Sequence, residues 1–276
     1  MAQNSGRETR SEQRDAARAK AREIREAHKK SEQRRRYGLI AGIVSAFLIL
    51  GGLVGFAVVS NAPAPAVAPT NMMFEGGIKI GKDLKAFTPD VKPTTESVPN
   101  IQIFLDYQCP FCQAFDIPNG ALIENKVAAG DWTIEYHPIS FLDGQSPNAF
   151  SSRAANAAVC VAEYSPNSFM KFNNVLFANQ PVEGTAGPEN DALVAYAQQI
   201  GATNLAQIEK CVNEKSFGDW VNATTSKHLN AEWQNTGLKV DSTPFIVVKD
   251  QRYSGSTQEM ANPARFEQWV TSVWNG

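Results

Sequence analysis

A chain of 276 residues with 43% hydrophobic residues can bury one sizeable domain with appendages, or two small ones, which excludes a polypeptide without a core. Its net charge of −2 conceals a division: residues 1–37 carry 12 Lys/Arg against 6 Asp/Glu, and the remainder carries 14 against 22. The two parts are therefore suited to different surroundings.

Residues 7–36 alternate Arg, Lys, Glu and Ala, a pattern that predicts a solvated helix with charge pairs. Because acidic residues are interspersed throughout, residues 1–37 read as a basic cytoplasmic tail that sets topology rather than as a nucleic-acid or lipid contact. From Gly38 to Val59 no residue is charged. As a helix these 22 residues rise roughly 33 Å, close to the apolar thickness of a bilayer. Arg34, Arg35 and Arg36 stand just before the run, and no charge follows until Glu75. The positive-inside bias then predicts a single-pass type II protein of the cell membrane, with its N-terminus in the cytoplasm and the rest outside. A cleaved signal peptide is the rival, with small-residue sites at Ala64-Pro65-Ala66 and Ala66-Val67-Ala68. Its charged and apolar regions would both be unusually long, which favours the anchor.

Residues 60–75 form an Ala/Pro-rich extracytoplasmic linker, extended by its alternating prolines. The folded domain is expected over 76–276. Strands are predicted at Ile78–Ile80, Ile101–Asp106 and Trp132–His137, with a helix from Phe111 to about Ala129 that Pro118 kinks or breaks. A helical block of about 147–236 follows, with candidate helices at Arg153–Glu163, Ser168–Ala178, Asn190–Ile200, Leu205–Asn213 and Phe217–Gln234. Strands at Pro244–Val248 and Gln251–Tyr253 and a closing helix from Pro263 to Trp274 complete the order.

Four cysteines are present, at 109, 112, 160 and 211. Cys109-Pro110-Phe111-Cys112 lies at a strand-to-helix junction. There the first helical N–H groups lack partners and the helix dipole favours a thiolate on Cys109. Pro110 suits the first helical position, and Cys112 lies one turn on, close enough to bond Cys109. Cys109 is then the exposed attacking sulfur and Cys112 the buried resolving one. Half a zinc site is the alternative. Neither Cys160 nor Cys211 has a neighbouring Cys or His, and His28, His137 and His228 show no ligand spacing, so redox chemistry is favoured with no metal and no cofactor. Asp106, three residues before Cys109, has two roles open to it: proton relay to Cys112, or cap of the following helix. His137 ends a strand, where a structural role is the better reading. Ser242-Thr243-Pro244 precedes a late strand.

Leu105-Asp-Tyr-Gln-Cys-Pro-Phe-Cys112, the helical block and Thr243-Pro244 together resemble the DsbA-like branch of the thioredoxin superfamily, especially its membrane-tethered members in actinobacteria. The likeness covers roughly Ile78 to Trp274. It implies an α/β thioredoxin-like fold with an inserted helical domain, preceded here by a single transmembrane helix. It also implies that Pro244 is cis and packs against the redox pair, and that Thr243 offers its backbone to an extended substrate. The family sometimes staples its helical insertion, which favours a Cys160–Cys211 bridge over two separate buried thiols. The best-known strong oxidases of this kind carry His where Phe111 stands here, so the strength of oxidation is open.

The expected function is a disulfide-forming oxidase acting on exported cysteine-containing proteins. By resemblance it is re-oxidised by a quinone-linked membrane partner of the DsbB or VKOR kind, and no nucleic acid is involved. A reductase or isomerase of the same fold is the first alternative, since direction follows from reduction potential and partner. A tethered, non-catalytic binding or chaperone-like module is the second.

Overall fold

A computed structural model of the protein describes residues 66–91 and 97–276, together with positions 18–20, 22–23, 25–26 and 29–32. Those N-terminal positions are helical and exposed, and they belong to a unit (Met1–Pro65) distinct from the compact unit Ala66–Gly276. The expected membrane helix at 38–59 lies outside the described residues. Among the described residues no helix is long and apolar enough to cross a membrane.

One six-stranded sheet organises the larger unit. Its strands are β1 (Ile78–Gly81), β2 (Lys85–Ala86), β3 (Asn100–Leu105), β4 (Thr133–Pro138), β5 (Phe245–Val248) and β6 (Gln251–Tyr253), in the order β2-β1-β4-β3-β5-β6. Only β3 and β4 run parallel, with Ile101 opposite Ile134 and Leu105 opposite Pro138. Helix α1 (Pro110–Ala129) is the connection that a parallel pair requires. It ends at Gly130, whose φ of 84° closes the last turn in the left-handed region.

The strands are apolar because both faces of the sheet are covered. Ile101, Ile103, Leu105, Ile246 and Val248 enter the larger core with α1 and the helical insertion, whereas Phe104, Phe245 and Val247 enter a second core with Ile139, Trp233 and Val240. On that second side a buried polar ladder crosses the strands. Asn100 and Gln102 donate to the Glu135 carboxylate at 3.2 Å each, His137 Nε2 lies 2.8 Å from the same group, and Trp233 Nε1 donates to Gln102 Oε1 at 3.0 Å. The His137 ring stacks on Phe104, with centroids 4.3 Å apart, which gives it a place in the packing.

The insertion consists of α2 (Phe150–Tyr164), α3 (Phe169–Ala178), α4 (Asn190–Gln199), α5 (Leu205–Glu214) and α6 (Gly218–Asn230). A short α7 (Thr257–Met260) and α8 (Pro263–Asn275) close the fold, α7 with a Ser256/Glu259 capping box and α8 capped by Asn262. Two sequence expectations are corrected. Pro118 neither ends nor divides α1, because the buried face Cys112, Phe115, Asp116, Asn119, Ile123 and Val127 continues past it and tertiary packing outweighs the one lost backbone bond. Helix α6 stops at Asn230 rather than Gln234, because Trp233 must leave the helix to reach the second core and Gln102.

Two cross-links tie the insertion together. Cys160 on α2 and Cys211 on α5 form a disulfide across 51 positions of chain. At the end of the same α2, the Glu163 carboxylate accepts from Thr70 N and Thr70 Oγ1 at 2.7 Å each. Asn71 Nδ2 donates to the Ala162 carbonyl at 2.9 Å and to that of Glu163 at 3.1 Å. A closed loop of this length is worth about 4 kcal/mol in the chain-entropy model. Replacing both Cys160 and Cys211 with alanine is therefore expected to cost ~2–4 kcal/mol, read as a lower urea midpoint at unchanged slope.

Candidate functional site

Strand β3 delivers the chain to a tight turn, Asp106-Tyr107-Gln108, closed by a bond from Cys109 N to Asp106 O of 3.0 Å. Cys109 then occupies the N-cap of α1 with extended backbone (φ −79°, ψ 116°), and Pro110 takes the first helical position. No side chain makes a capping hydrogen bond here, so the capping role expected as one option for Asp106 is not filled by it. The backbone N–H groups of Phe111 and Cys112 act on the Cys109 sulfur instead.

Cys109 and Cys112 are free thiols. Cys109 Sγ lies 3.2 Å from the carbonyl oxygen of Thr243, to which it donates as a thiol. The Thr243–Pro244 peptide is cis, and β5 begins at the next residue. The Arg252 guanidinium steadies this loop, its Nη1 2.9 Å from Asp241 Oδ1 and its Nη2 donating to Ser242 Oγ at 2.6 Å. Cys109 titrates at about 7, below the ordinary thiol range. A hydrogen bond from Cys112 is the main cause; burial opposes it, while Thr243 and the Phe111 and Cys112 backbone groups reinforce it. Burial and the neighbouring Cys109 sulfur push Cys112 well above that range. The two sulfurs are thus unlike: one ionises readily and the other holds its proton.

The sequence reading expects an exposed Cys109, but the residue is only 4% exposed. It is packed into the larger core, and three glutamines fasten α3 and the segment between α3 and α4 to the start of α1. Gln108 Nε2 donates to Thr185 O at 2.8 Å, Gln113 Nε2 to Phe177 O at 2.8 Å, and Gln180 Nε2 to Cys109 O at 3.0 Å. Arg153, buried on α2, holds the far end of the segment through the carbonyls of Ala186 and Pro188 at 3.0 and 2.8 Å. Phe111 and Val182 remain exposed. Of these residues only Gln108 and Phe111 fall within the sequence motif; side chain–to–backbone clasps leave no periodic trace.

Asp106 is fully buried. Its Oδ1 accepts from Gln108 N and Ser151 Oγ and its Oδ2 from Leu142 N, all at 2.8 Å. Burial raises it to about 6, against the pull of those three donors. It braces the turn to the loop before α2 and to α2 itself. A second buried acid, Asp116, is absent from the sequence reading, although it stands four residues after Cys112 on the same helical face. Burial raises it to about 7, and one bond, from Asn173 Nδ2 at 2.9 Å, opposes the rise. Asn173 Oδ1 in turn accepts from Tyr107 OH at 3.3 Å. Cys160 and Cys211 are bonded to each other and are not available as metal ligands. Among the described residues no group of three or more His, Cys, Asp or Glu is placed to hold a metal ion.

A paired-cysteine site at a helix start, faced by a cis-proline loop and carried on a mixed sheet with a helical insertion, defines a thioredoxin-fold protein. The chain belongs to the thioredoxin family: the family model described as Thioredoxin matches residues 94–271. Solved structures share its fold. DsbA from Mycobacterium tuberculosis in the oxidised form is 24% identical, with a TM-score of 0.57 over 72% of this chain and 93% of that one. Oxidised BdbD from Bacillus subtilis is 18% identical, with a TM-score of 0.56 over 77% and 100%. MdbA, a thiol-disulfide oxidoreductase from Actinomyces oris, is 17% identical, with a TM-score of 0.53 over 76% and 100%. Among curated proteins, the serine/threonine-protein kinase PknE of Mycobacterium tuberculosis is 35% identical over 161 residues, 56% of this chain. The chain spans 27% of the length of that relative.

Two outcomes follow from the titrations. Alkylation of the reduced protein by iodoacetamide is expected to modify Cys109 with a midpoint near pH 7 and to leave Cys112 unmodified; Cys109→Ser should remove the reaction. Asp116 has a folded value above the unfolded carboxyl value of about 3.9, so the folded state binds more protons between pH 4 and 7. Stability is then highest below pH 4 as far as this group is concerned and is lost as pH rises through about 7. Asp116→Asn should flatten that decline in denaturation midpoints measured from pH 4 to 8.

Proposed function

We propose that this protein is an extracytoplasmic thiol–disulfide oxidoreductase, anchored by residues 38–59, that forms disulfides in exported cysteine-containing proteins. The observation that supports the thiol–disulfide exchange chemistry, in either direction, is the low-pKa Cys109 at the start of α1, its sulfur 3.2 Å from the Thr243 carbonyl beside cis-Pro244. In the oxidised enzyme a substrate thiolate attacks the Cys109 sulfur, the Cys109–Cys112 bond breaks, and Cys112 departs with the electron pair. A second substrate thiolate attacks the mixed disulfide, the substrate leaves oxidised, and the enzyme is left as the dithiol. Thr243 offers main-chain pairing to an extended substrate, which accommodates many sequences. Exposed Phe111 and Val182 give apolar contact beside the sulfur. Turnover requires a re-oxidant, and a quinone-linked membrane protein of the DsbB or VKOR kind fits the anchored topology.

A reductase or isomerase is the second reading, and the Cys109 value of about 7 favours it. Strongly oxidising members of this superfamily reach thiol values of about 3.5, while thioredoxin stands at about 7. Phe111, in place of a histidine, adds no charge to stabilise the thiolate. The reduction potential of the Cys109/Cys112 pair separates the two readings. A value near −120 mV supports the oxidase, and one near −270 mV the reductase. In cells, Cys112→Ala is expected to accumulate mixed disulfides through Cys109, visible on non-reducing gels. Cys109→Ala should abolish both trapping and thiol oxidation; retention of activity by Cys109→Ala overturns the mechanism.

A further inference from the structure

Away from the redox pair, the helical insertion forms a polar cleft of about 390 Å³, bounded by the loop before α2, the first two turns of α2 and the junction of α5 with α6. That is room for one small ligand or one residue of a peptide. The floor comes from α2. Asn156 is 1% exposed, and its Oδ1 accepts from Phe217 N at 2.9 Å. Its Nδ2 makes no hydrogen bond among the described residues. A buried amide with unpaired N–H groups is destabilising unless an acceptor meets it. Arg153 stands three residues earlier on α2 and lines the same cleft. Its Nε donates to Asn148 O, its Nη1 to Pro188 O and Asn190 Oδ1, and its Nη2 to Ala186 O. All four acceptors are neutral, and one Nη2 N–H of the guanidinium is left over.

The rim has the opposite character. The Asp143 carboxylate accepts only from Ser152 N, at 3.0 Å on Oδ1. Glu214 and Asp219 are exposed and, among the described residues, make no ion pair and no side-chain hydrogen bond. Asp219 lies in the first turn of α6, where the helix dipole favours an acid. Glu214 is the last residue of α5, where the helix carbonyls already carry partial negative charge and a cation is the favoured neighbour. Lys215, at the same rim, caps α5 with a φ of 52° and pairs with none of the three acids. Among the described residues no three such groups are placed to hold a metal ion, so the rim does not close on a bare inorganic cation.

The geometry points to a binding site for a basic residue of an extended peptide, with Asn156 and Arg153 donating to the peptide's main-chain carbonyl and the Asp143, Glu214 and Asp219 carboxylates pairing with its amine or guanidine group. A polyamine satisfies the rim and leaves the floor donors unmet. An acidic peptide satisfies the floor and is repelled by the rim. A ligand that carries an acceptor and a cation one side chain apart meets both. Neither redox cysteine lines the cleft, so the site stands whichever way the exchange chemistry runs. It does adjoin the redox turn, because the neighbours of Asp143 and Ser152, namely Leu142 and Ser151, are the residues that bind Asp106.

The test uses the full chain in mild detergent, with asparagine labelled with nitrogen-15 and its side-chain amides observed by NMR. The Asn156 pair is identified by its loss in Asn156→Asp and, independently, by its proximity to the Phe217 amide proton. Acetyl-Gly-Arg-Gly-amide at low salt is expected to shift this pair saturably, whereas acetyl-Gly-Glu-Gly-amide, spermidine and calcium chloride leave it in place. Combining Glu214→Gln with Asp219→Asn, both at exposed positions, should weaken the arginine peptide about fivefold or more with the fold intact. No saturable shift with the arginine peptide overturns the inference and leaves water as the partner of Asn156. Equal shifts with the glutamate peptide, spermidine or calcium overturn it as well, and so does an affinity unchanged in the double variant.

Discussion

The site depends on a helix that begins without a conventional cap. At the start of α1 the residue in the N-cap position is the reactive cysteine, so the interaction that would ordinarily satisfy the first N–H groups is the one that stabilises a thiolate. Everything nearby serves to keep that sulfur in the cap position. The Asp106 turn sets where β3 ends and α1 begins, Pro110 fixes the entry of the helix, and the cis Thr243–Pro244 peptide brings a carbonyl to the other side of the sulfur.

Two buried carboxyl groups of the same type show how the number of donors tempers the effect of burial. Asp106 receives three hydrogen bonds and titrates at about 6; Asp116 receives one and titrates at about 7. Burial is the larger influence in both cases. The donors differ in number and in the rigidity of their source, two backbone N–H groups and a serine against one asparagine side chain. A protein that keeps an acid under-satisfied in its core accepts a loss of stability there as pH rises.

The redox pair and the order of strands and helices were legible because they depend on local chemistry: a strand of Ile, Phe and Leu running into Cys-Pro, and helical periods separated by polar loops. Thr243-Pro244 carries no signal alone and acquires one only beside the cysteine motif. Long-range cover was not legible. Gln180 and Cys109 are 71 positions apart, and nothing in either neighbourhood marks the bond between them. Trp233 likewise ends α6 for the sake of Gln102, 131 positions away. Asp116 is a different case: its spacing from Cys112 is visible in the sequence, but its significance depends on a burial that only the packed structure reveals.

The chain enters the folded unit through Thr70 and Asn71, which are clasped by Glu163 and the carbonyl groups at the end of α2. Three residues earlier on that helix, Cys160 bonds α2 to α5. A force pulling on the segment before residue 70 is therefore borne first by a helix that is itself covalently braced. The strands and the start of α1 lie further along the load path. Helix α1 is thereby mechanically separated from the chain that precedes residue 70.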